Sequence, residues 1–557
     1  MRKSLARPSP SWRYSYGGAL MSIVTALGLT EDALIGETSS SEYSSEGGTP
    51  TFDRIPFRVK AGQRPNLNTF VIALRQDDDN RAHYGRIIAG SELNLRARPG
   101  GMQKDDAYGM RRTDIRSSEL SPDLVRVMEI ELLGEICIKD DSSLEIAEPT
   151  QLPHTGQSVY ELPAAIIPKL LNIPEEDDDT NDKPTSVLGL YLGKIESGGH
   201  SVPFFLPNGA IARHIAVLGK TGVGKSYAVG VLMEELYEKR IPMLSFDVLG
   251  DTEQTATELE GRHIVAGTDD FKIPYSIVGL EEFLAFIPNL TSDQRELIAS
   301  AYGNVFDEAL DKLEKGEELN IPFDRLTSLV DTIGQSINSK ATPNAIRRVQ
   351  AAFNRSSLLT DKPVTWTELL KNSPLINIYV GHLGQWQRNL VVGAAARILQ
   401  RLRRRNHIPP FVLVIDEAHL FLPGGSDLPP STLVLREMIR TARHDSVGVV
   451  LLSQSPSSMD RQILLTCNTR MLFALDPEDL RVVAGQIGDL PEETIKRIPR
   501  MPRGTAVFTS GMDIMRHAVI VKIRERTFTT HVAETPDLRE AVEKWRKDHQ
   551  THQNSNK

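Results

Sequence analysis

The segment Gly219-Lys-Thr-Gly-Val-Gly-Lys-Ser226 has the spacing G-x-x-x-x-G-K-S and stands between two apolar runs, Ile215 to Leu218 and Tyr227 to Met233. The first run predicts a buried strand and the second opens a helix, so the glycines occupy a strand-to-helix turn. In such a turn the backbone N–H groups wrap a β-phosphate, the lysine reaches the β and γ oxygens and the serine ligates magnesium. A glycine-rich turn without function would not require these flanks. The segment predicts a P-loop that binds ATP and Mg²⁺, through Gly219, Thr221, Gly222, Val223, Gly224, Lys225, Ser226 and Tyr227.

A second pattern, Phe411-Val-Leu-Val-Ile-Asp416-Glu417, is a hydrophobic strand that ends in two carboxylates. A parallel α/β sheet binds its ligands at the carboxyl ends of its strands. Asp416 could hold magnesium through water, and Glu417 could orient or deprotonate the attacking water. The alternative is an acidic helix cap, but the P-loop upstream favours a Walker B motif.

Two further predicted strands end in polar residues. Asp247 ends the strand after the P-loop helix and could face the γ-phosphate, but it could equally be a turn residue in Asp247-Val-Leu-Gly-Asp251. Gln454 ends the run Val449-Val-Leu-Leu-Ser, where a neutral amide could sense the γ-phosphate or its water. The only support for this sensing role of Gln454 is its position at the end of a strand.

Arginines are relevant because phosphoryl transfer gains from a guanidinium offered by a neighbouring subunit. Arg440 and Arg443 lie between the Walker B motif and Gln454, where surface salt bridges are the alternative role. Two basic clusters could contact nucleic acid, or could instead be solvated helix ends favoured by the helix dipole. The first contains Arg397, Arg401, Arg403, Arg404 and Arg405, and the second contains Lys340, Arg347 and Arg348.

Composition limits the class of protein. The chain has 557 residues, 40% of them apolar, which suits two or three domains. Its formal net charge of −9 excludes the overall basic surface of a nucleic-acid coat, so any such contact is local. Cys137 and Cys467 have no zinc-ligand spacing and fit a reducing cytoplasm. The sequence contains no run of about 18 apolar residues, so no membrane span is predicted.

The order of patterns predicts an α/β fold with several parts. Residues 1–56 read as a flexible N-terminal extension, and 57–199, which include the run Val187 to Gly193, as a small β-barrel or sandwich. Buried strands alternating with helices predict a parallel-rich core at 200–279 and 365–490, interrupted by a helical insertion at 280–364. Residues 491–557 read as short β segments and a tail that begins at Asp537.

These residues resemble the HerA family of hexameric ATPases, which is related to the FtsK translocases and more distantly to RecA-like motors. The resemblance covers the chain from about Phe57 to His531. The sequences that carry it are Arg213-His-Ile-Ala-Val-Leu-Gly, Val414-Ile-Asp-Glu-Ala-His and Leu452-Ser-Gln-Ser-Pro-Ser-Ser-Met-Asp followed by Thr466-Cys-Asn-Thr. The resemblance implies a HAS-type barrel, a RecA-like core interrupted by a helical bundle, and a C-terminal segment that reaches a neighbouring subunit.

The resemblance also implies roles for single residues. Glu417 would be catalytic, Asp247 a second essential carboxylate and Gln454 the sensor. Arg440 or Arg443 would be the arginine finger supplied in trans, and Arg213 would be a further arginine near the nucleotide. The family often reads Ala-Arg-x-Gly-Arg-Lys where this chain has Arg440-Thr-Ala-Arg443-His-Asp.

The function that the resemblance implies is a cytoplasmic homohexamer that threads double-stranded DNA through a central pore at the expense of ATP. A nuclease of the NurA type or a sirtuin-type effector would dock on the barrel face, in DNA end processing or anti-phage defence. One alternative is an ATP-regulated hexameric scaffold that activates an effector without obligatory translocation. A conjugative or packaging motor is disfavoured because no membrane span is predicted.

Overall fold

The computed structural model describes residues 22–40, 50–94, 124–139, 143–177, 184–269, 271–363, 365–425, 428–485 and 492–530, with positions 539 and 542. The first twenty residues, which belong to the predicted extension, lie outside the described residues, as does most of the predicted tail from Asp537. The chain divides into two units, residues 1–167 with 197–199 and residues 168–196 with 200–557.

The secondary structure of the described residues is as follows. The strands are β1 (Leu34–Thr38), β2 (Arg54–Val59), β3 (Phe70–Leu74), β4 (Arg81–Asn94), β5 (Leu124–Ile138), β6 (Leu144–Ala147), β7 (Ser158–Glu161), β8 (Gly189–Ser197), β9 (His200–Pro207), β10 (Ile215–Leu218), β11 (Met243–Asp247), β12 (Arg262–Val265), β13 (Ile273–Pro274), β14 (Leu359–Thr360), β15 (Leu375–Tyr379), β16 (Phe411–Ile415), β17 (Val447–Ser453), β18 (Thr469–Leu472), β19 (Thr505–Thr509) and β20 (Val519–Ile523). The α-helices are α1 (Ile23–Ala26), α2 (Ile167–Leu171), α3 (Lys225–Glu238), α4 (Glu253–Glu258), α5 (Leu280–Phe286), α6 (Ser292–Lys315), α7 (Phe323–Ser336), α8 (Thr342–Arg355), α9 (Trp366–Asn372), α10 (Gln385–Arg404), α11 (Pro430–Ala442), α12 (Arg461–Thr466), α13 (Pro477–Ala484) and α14 (Glu492–Arg497).

The first unit is an antiparallel barrel. Its strands follow the order β2-β1-β7-β3-β4-β5-β6, and β2 also pairs with β5, so six of them close into a ring. Side chains that point inward form the core of the ring, among them Phe57, Val71, Ile130 and Val159. Closure removes the unpaired edges that an open sheet would present. The predicted small barrel is confirmed.

The barrel begins earlier in the chain than the predicted boundary at residue 57. Strand β1 and the first residues of β2 fall inside the segment 1–56 that was interpreted as a flexible extension. Gly36, which was assigned to that extension, is a strand residue at which β1 approaches β2, since a Cβ there would lie 2.2 Å from the carbonyl oxygen of Arg58. The run Leu34 to Thr38 is too short, and its Ser-rich flank too polar, for its strand pattern to be recognised from composition.

The second unit contains an eleven-stranded sheet with the order β12-β15-β11-β16-β17-β10-β18-β19-β20-β8-β9. The strands from β12 to β18 pair in parallel, and those from β18 to β8 pair antiparallel. Every residue of β16 and β17 is buried, as expected for parallel strands that helices cover on both faces. The predicted α/β fold with a parallel-rich, RecA-like core is confirmed.

Strand β8 lies in this sheet and not in the barrel, where the run Val187 to Gly193 was predicted. It pairs antiparallel with β20, with Gly193 opposite Ile523 and Lys194 opposite Lys522. A Cβ at Gly193 would lie 2.1 Å from the carbonyl oxygen of Lys522, so glycine permits this close pairing. The prediction failed because an alternating pattern identifies a strand but not the sheet to which it belongs.

Helices α5 to α8 form the helical bundle that interrupts the core. Tyr302 of α6 is fully buried, stacks on Phe283 at 4.0 Å between ring centroids and donates its hydroxyl to the carbonyl oxygens of Tyr275 and Val278. The two-residue strand β14 lies inside the region 280–364 that was predicted to be helical, and it pairs with β13, which precedes that region. Among the described residues, no helix is both long and apolar enough to cross a membrane.

A buried ion pair lies within the barrel unit. Arg75 Nη1 donates to Glu135 Oε1 at 2.6 Å, and these side chains are 4% and 1% exposed. Burial opposes ionisation of Glu135, but hydrogen bonds from Thr150 and Arg75 lower the pKa of Glu135 below its ordinary value. The carboxylate is therefore charged and fully used in the folded barrel.

Replacing Glu135 with alanine should lower the free energy of unfolding by about 1–3 kcal/mol, because the hydrogen bonds from Thr150 and Arg75 would be lost and Arg75 would keep only Asp77 as a hydrogen-bonded carboxylate partner. Urea denaturation of the two proteins measures the difference. The control is Glu145→Ala, since Glu145 pairs with Lys139 at 3.2 Å with both side chains about half exposed, and its loss should cost less than about 1 kcal/mol. Equal losses in the two variants would contradict the assignment.

Candidate active site

The P-loop turn forms at the carboxyl end of β10, beside the end of β17. The backbone N–H of Gly219 donates to the carbonyl oxygen of Ser453 at 3.2 Å. Gly222 and Gly224 have positive φ angles of 78° and 107°, where a side chain would be strained. Helix α3 begins at Lys225, so the turn and the first turn of the helix present consecutive N–H groups to one place.

Lys225 lies among carboxylates. Its Nζ donates to the carbonyl oxygen of Lys220 at 2.8 Å. Burial lowers the pKa of Lys225, whereas the charges of Glu417, Asp416 and Asp251 raise it. The P-loop lysine and the Walker B carboxylates, predicted from distant parts of the chain, therefore meet in one site.

Two other predicted P-loop residues make contacts with the C-terminal part of the chain. The carbonyl oxygen of Val223 accepts a hydrogen bond from the N–H of Gly504 at 3.0 Å. The hydroxyl oxygen of Tyr227 accepts one from the N–H of Arg526 at 2.9 Å. Segments that follow the predicted core thus form part of the wall of the site.

Gln454 lies directly beside the P-loop. The hydroxyl of Thr221 donates to Gln454 Oε1 at 2.5 Å. Because Gln454 follows the carboxyl end of β17, the neighbour of β10 in the sheet, parallel pairing brings its amide to the phosphate-binding turn. This position lets the amide report on a γ-phosphate or on its water.

Asp416 is buried at the end of β16 and is 7% exposed. Its Oδ1 accepts from the N–H of Glu417 at 2.9 Å, and its Oδ2 accepts from the N–H groups of Val248 and Leu249, each at 3.3 Å. Burial raises the pKa of Asp416 to about 7, and the charges of Glu417, Asp247 and Asp251 act in the same direction. The carboxyl edge of the sheet thus carries more negative charge than Lys225 alone offsets.

Glu417 has an unusual backbone and a buried side chain. Its φ and ψ are 46° and 49°, in the left-handed region, and the residue is 5% exposed. Glu417 Oε2 lies 3.2 Å from His419 Nδ1 but has no well-oriented hydrogen bond with any protein group described. His419 in turn lies 3.4 Å from the hydroxyl of Ser453, at the end of β17. A water hydrogen-bonded to Glu417 would give this orphaned oxygen a partner.

Asp247 is fully buried, and its oxygens accept hydrogen bonds from its own loop and from Asn377 of β15. Oδ1 accepts from the N–H of Gly250 at 2.7 Å, and Oδ2 accepts from the N–H of Thr252 at 3.0 Å and from Asn377 Nδ2 at 3.1 Å. Burial raises the pKa of Asp247 despite these bonds. Asp247 therefore shapes the loop after β11, and this geometry favours the turn role that the sequence left open.

Asp251, which the sequence patterns did not single out, is the carboxylate of this loop that lines the cavity. The cavity is also lined by Ser226, Thr252 and Asp416. Asp251 is half-buried, and its charge acts on both Lys225 and Asp416. The sequence signal that could have identified it is its place four residues after Asp247, at the far end of the same turn.

The donor chemistry of the cavity fits a magnesium ion. Ser226 and Asp416 supply the hydroxyl and carboxylate oxygens that Mg²⁺ prefers, and this ion keeps several waters and takes other ligands from substrate phosphates. Burial is the main cause of the raised pKa of Asp416, the charges of Glu417, Asp247 and Asp251 add to it, and a divalent cation would offset those charges. No group of three or more His, Cys, Asp or Glu side chains in the described part of the chain is arranged to hold a metal.

Arg213 lies at the opposite edge of the sheet from the P-loop. It precedes the amino end of β10, whereas Gly219 follows the carboxyl end, and four strand residues separate the two edges by about 13 Å. The guanidinium of Arg213 pairs with Asp513. Within one protomer, Arg213 is therefore not the arginine near the nucleotide that the resemblance implied, because the intervening strand carries it away.

Arg443 shares that opposite edge. The hydrogen bond from Arg213 lowers the pKa of Asp513, and the charge of Arg443 acts on Asp513 in the same direction. Arg440 donates to Gln462 Oε1 at 3.1 Å. Arg440 and Arg443 are both exposed near the end of α11, which leads into the amino end of β17.

The arginines of α10 make contacts within the protein. Arg397 is 7% exposed, donates to the carbonyl oxygen of Ile277 at 2.6 Å and lies over the ring of Phe306. Arg404 bonds to Asp445 and Thr441, and Arg405 to Glu314. These contacts favour a structural role for this cluster over a nucleic-acid surface.

The variants Asp247→Asn and Asp251→Asn should differ in their effects. The amide introduced at position 247 would turn an N–H₂ group toward a backbone N–H, so the free energy of unfolding should fall by about 1–3 kcal/mol. Asp251→Asn should leave thermal unfolding unchanged and raise the magnesium concentration for half-maximal ATPase activity about tenfold. Thermal melts and magnesium titrations test this, and the reverse assignment of effects would refute it.

Comparisons with known proteins find similar sequences among the HerA helicases. A family model described as "Helicase HerA, central domain" matches residues 190–385. The DNA double-strand break repair helicase HerA of Sulfurisphaera tokodaii is 25% identical over 391 residues, which cover 66% of this chain and 75% of that protein. The HerA of Sulfolobus acidocaldarius is 24% identical over 332 residues, covering 56% of this chain and 65% of that protein.

Among solved structures, VirB4 of Thermoanaerobacter pseudethanolicus is 17% identical, with a TM-score of 0.48 over 62% of this chain and 98% of that one. A superposition at that TM-score adds nothing to the fold assignment, which rests on the strand order given above. The P-loop and the carboxylates after β16 are those of an ATPase, and the central part of the chain, residues 190–385, is similar to the central domain of the HerA helicases.

Proposed function

We propose that the protein is a homohexameric motor that uses Mg²⁺ and ATP to move double-stranded DNA through a central pore. The observation that carries the proposal is the division of the sheet into two charged edges. Lys225, Asp416 and Glu417 lie at the carboxyl edge, and Arg213 and Arg443 lie at the amino edge. In a ring with head-to-tail interfaces, one edge of each subunit faces the other edge of its neighbour.

In the proposed reaction, the P-loop N–H groups and Lys225 bind the phosphates, and Lys225 exchanges its bond with the Lys220 carbonyl for phosphate oxygens. Glu417 orients the attacking water and accepts its proton as the water oxygen bonds to the γ-phosphorus and ADP leaves. Magnesium, when bound, would neutralise charge on the β and γ oxygens. An arginine of the next subunit would stabilise the remaining charge of the transition state.

DNA as the substrate is supported by the names of the relatives, which are helicases of double-strand break repair. In this chain the contacts must be local, because the net charge is −9. We assign phosphate contacts to Lys340 and Arg347 of the helical bundle, which are exposed. Four arginines of the other basic cluster already bond to protein groups and are not assigned to DNA, namely Arg397, Arg403, Arg404 and Arg405.

The same proposal includes an effector protein, a nuclease or sirtuin-type enzyme, that docks on the barrel. It rests on the resemblance and on three large apolar side chains that are exposed in the barrel unit, Phe52, Leu67 and Leu152, at 54%, 41% and 44%. A role in DNA end processing and a role in anti-phage defence predict different phenotypes for a gene deletion. Deleting the gene would sensitise cells to double-strand breaks in the first case and to phage infection in the second.

Mixing two inactive subunits tests the sharing of sites. Lys225→Ala should abolish ATPase activity, and Arg443→Ala should lower it by about 1,000-fold. Co-assembled at equal amounts, the two should regain activity at about a quarter of the interfaces, since only those pair an intact P-loop with an intact arginine. The control for subunit exchange is the same mixture made with Arg347→Ala subunits in place of Arg443→Ala subunits. No recovery with Arg443→Ala would show that this arginine does not act across the interface.

The DNA requirement has a separate test. Linear duplex DNA should stimulate ATPase activity of the wild-type protein at least about tenfold, because a motor couples turnover to its track, and the effect should weaken as salt rises. The double variant Lys340→Ala/Arg347→Ala should reduce the stimulation by DNA and leave the basal ATPase activity intact. Basal activity without any response to DNA would favour the scaffold alternative.

A further inference from the structure

The segment 524–530, called the strap here, follows β20 and is fixed to helix α3. Arg524 donates to Glu234 Oε2 at 2.8 Å and to Glu235 Oε1 at 2.9 Å. Glu234 is fully buried, and its carboxylate also accepts from the N–H groups of Thr527, Phe528 and Thr529, at 2.9–3.0 Å. A buried carboxylate with this many donors holds the strap in one register on the helix that begins at Lys225.

Arg526 extends from the strap to the first turn of α3. Its Nη2 donates to the carbonyl oxygen of Ser226 at 2.8 Å, and its guanidinium lies 5.0 Å from the ring centroid of Tyr227. Its Nη1 donates to the hydroxyl of Thr255 at 3.1 Å. Thr255 belongs to α4, the helix that begins two residues after Asp251. One planar group thus joins the element that carries Ser226 to the element that follows Asp251.

Gly230 provides the space for this guanidinium. A Cβ at position 230 would lie 1.9 Å from Arg526 Nη2 and 2.1 Å from its Cζ. Gly230 is buried in the interior of α3, where glycine is disfavoured relative to alanine. The helix therefore has an unfavourable residue at the one place where Arg526 must pass.

We propose that Arg526 is a positioning residue of the ATPase site, through which the strap holds Ser226 and the Asp251 loop at the separation that a nucleotide with its magnesium ion requires. Arg526 would act through Ser226 and Thr255 and would not itself touch the nucleotide. Its planar fork suits the task, because it donates to two elements from one rigid group. The strap lies about 300 residues from Ser226 in sequence, so seating of the C-terminal segment would set nucleotide affinity.

The first test is the variant Arg526→Ala in the full-length protein. Binding of the fluorescent analogue mant-ATP in the presence of Mg²⁺ should weaken about tenfold, and the KM for ATP should rise by a similar factor, as found when groups that orient metal ligands are removed. The kcat should change by less than about threefold, because Glu417 and Lys225 remain. The affinity of Arg526→Lys for mant-ATP should lie between those of the wild type and Arg526→Ala, since an ammonium can reach the Ser226 carbonyl but lacks the planar fork.

Gly230→Ala provides the second test without removing Arg526. The new methyl group should displace the guanidinium and reproduce the weaker binding, while thermal stability should be no lower than that of Arg526→Ala, because the same hydrogen bonds are lost and alanine suits a helix better than glycine. The double variant Gly230→Ala with Arg526→Ala should bind no more weakly than Arg526→Ala alone, because the methyl group then enters vacated space. Thr527→Val is the matched control, since it alters the strap beside Arg526 without touching Ser226 and should bind mant-ATP normally.

The inference rests on nucleotide binding at the P-loop, and the two can fail separately. If the wild-type protein does not bind mant-ATP, the assignment of the ATP site fails and the inference with it. If Arg526→Ala or Gly230→Ala binds mant-ATP as tightly as the wild type, only the positioning role is overturned. Weak binding by Thr527→Val as well as Arg526→Ala would also overturn it, since the effect would then come from general loosening of the strap.

Discussion

The site depends on the parallel pairing of β10, β16 and β17. Parallel strands in adjacent positions must end at the same edge, so the residues after Leu218, Ile415 and Ser453 are brought together whatever their distance in the chain. Each of these ends carries one part of the chemistry: the phosphate-binding turn, the two carboxylates and the sensing amide. These three strands are apolar along their length, and the polar groups of the site come at their carboxyl ends.

That arrangement concentrates charge of opposite sign at opposite ends of the sheet. Asp247, Asp251, Asp416 and Glu417 share the carboxyl edge, and burial there raises the pKa of Asp416 to about 7. Such a site favours cationic ligands and nucleotide with a metal, and its carboxylates repel one another when it is empty. Glu234, which holds the C-terminal strap, is also a buried carboxylate, but it accepts enough hydrogen bonds to stay charged.

The parts of the site that could be predicted from the sequence are those in which the chemistry and its setting are contiguous. The P-loop and the carboxylates Asp416 and Glu417 each follow a strand within a few residues, so local pattern and function coincide. The role of Asp247 could not be decided, because its use depends on which N–H groups its loop turns inward. Arg526 could not be found at all, since it meets Ser226 only after the chain has built the whole sheet. Arg213 shows the opposite difficulty, in that nearness in sequence to the P-loop concealed the strand between them.

The left-handed backbone of Glu417 has a consequence for any attempt to improve this protein. A glutamate in that conformation costs roughly 1–2 kcal/mol relative to the right-handed region, and glycine would adopt it without strain. If Glu417 activates the attacking water, as proposed above for ATP hydrolysis, the position sets catalysis against stability within a single residue. A screen that rewards heat resistance alone would favour substitutions here that leave a sturdier protein with an intact P-loop and no turnover.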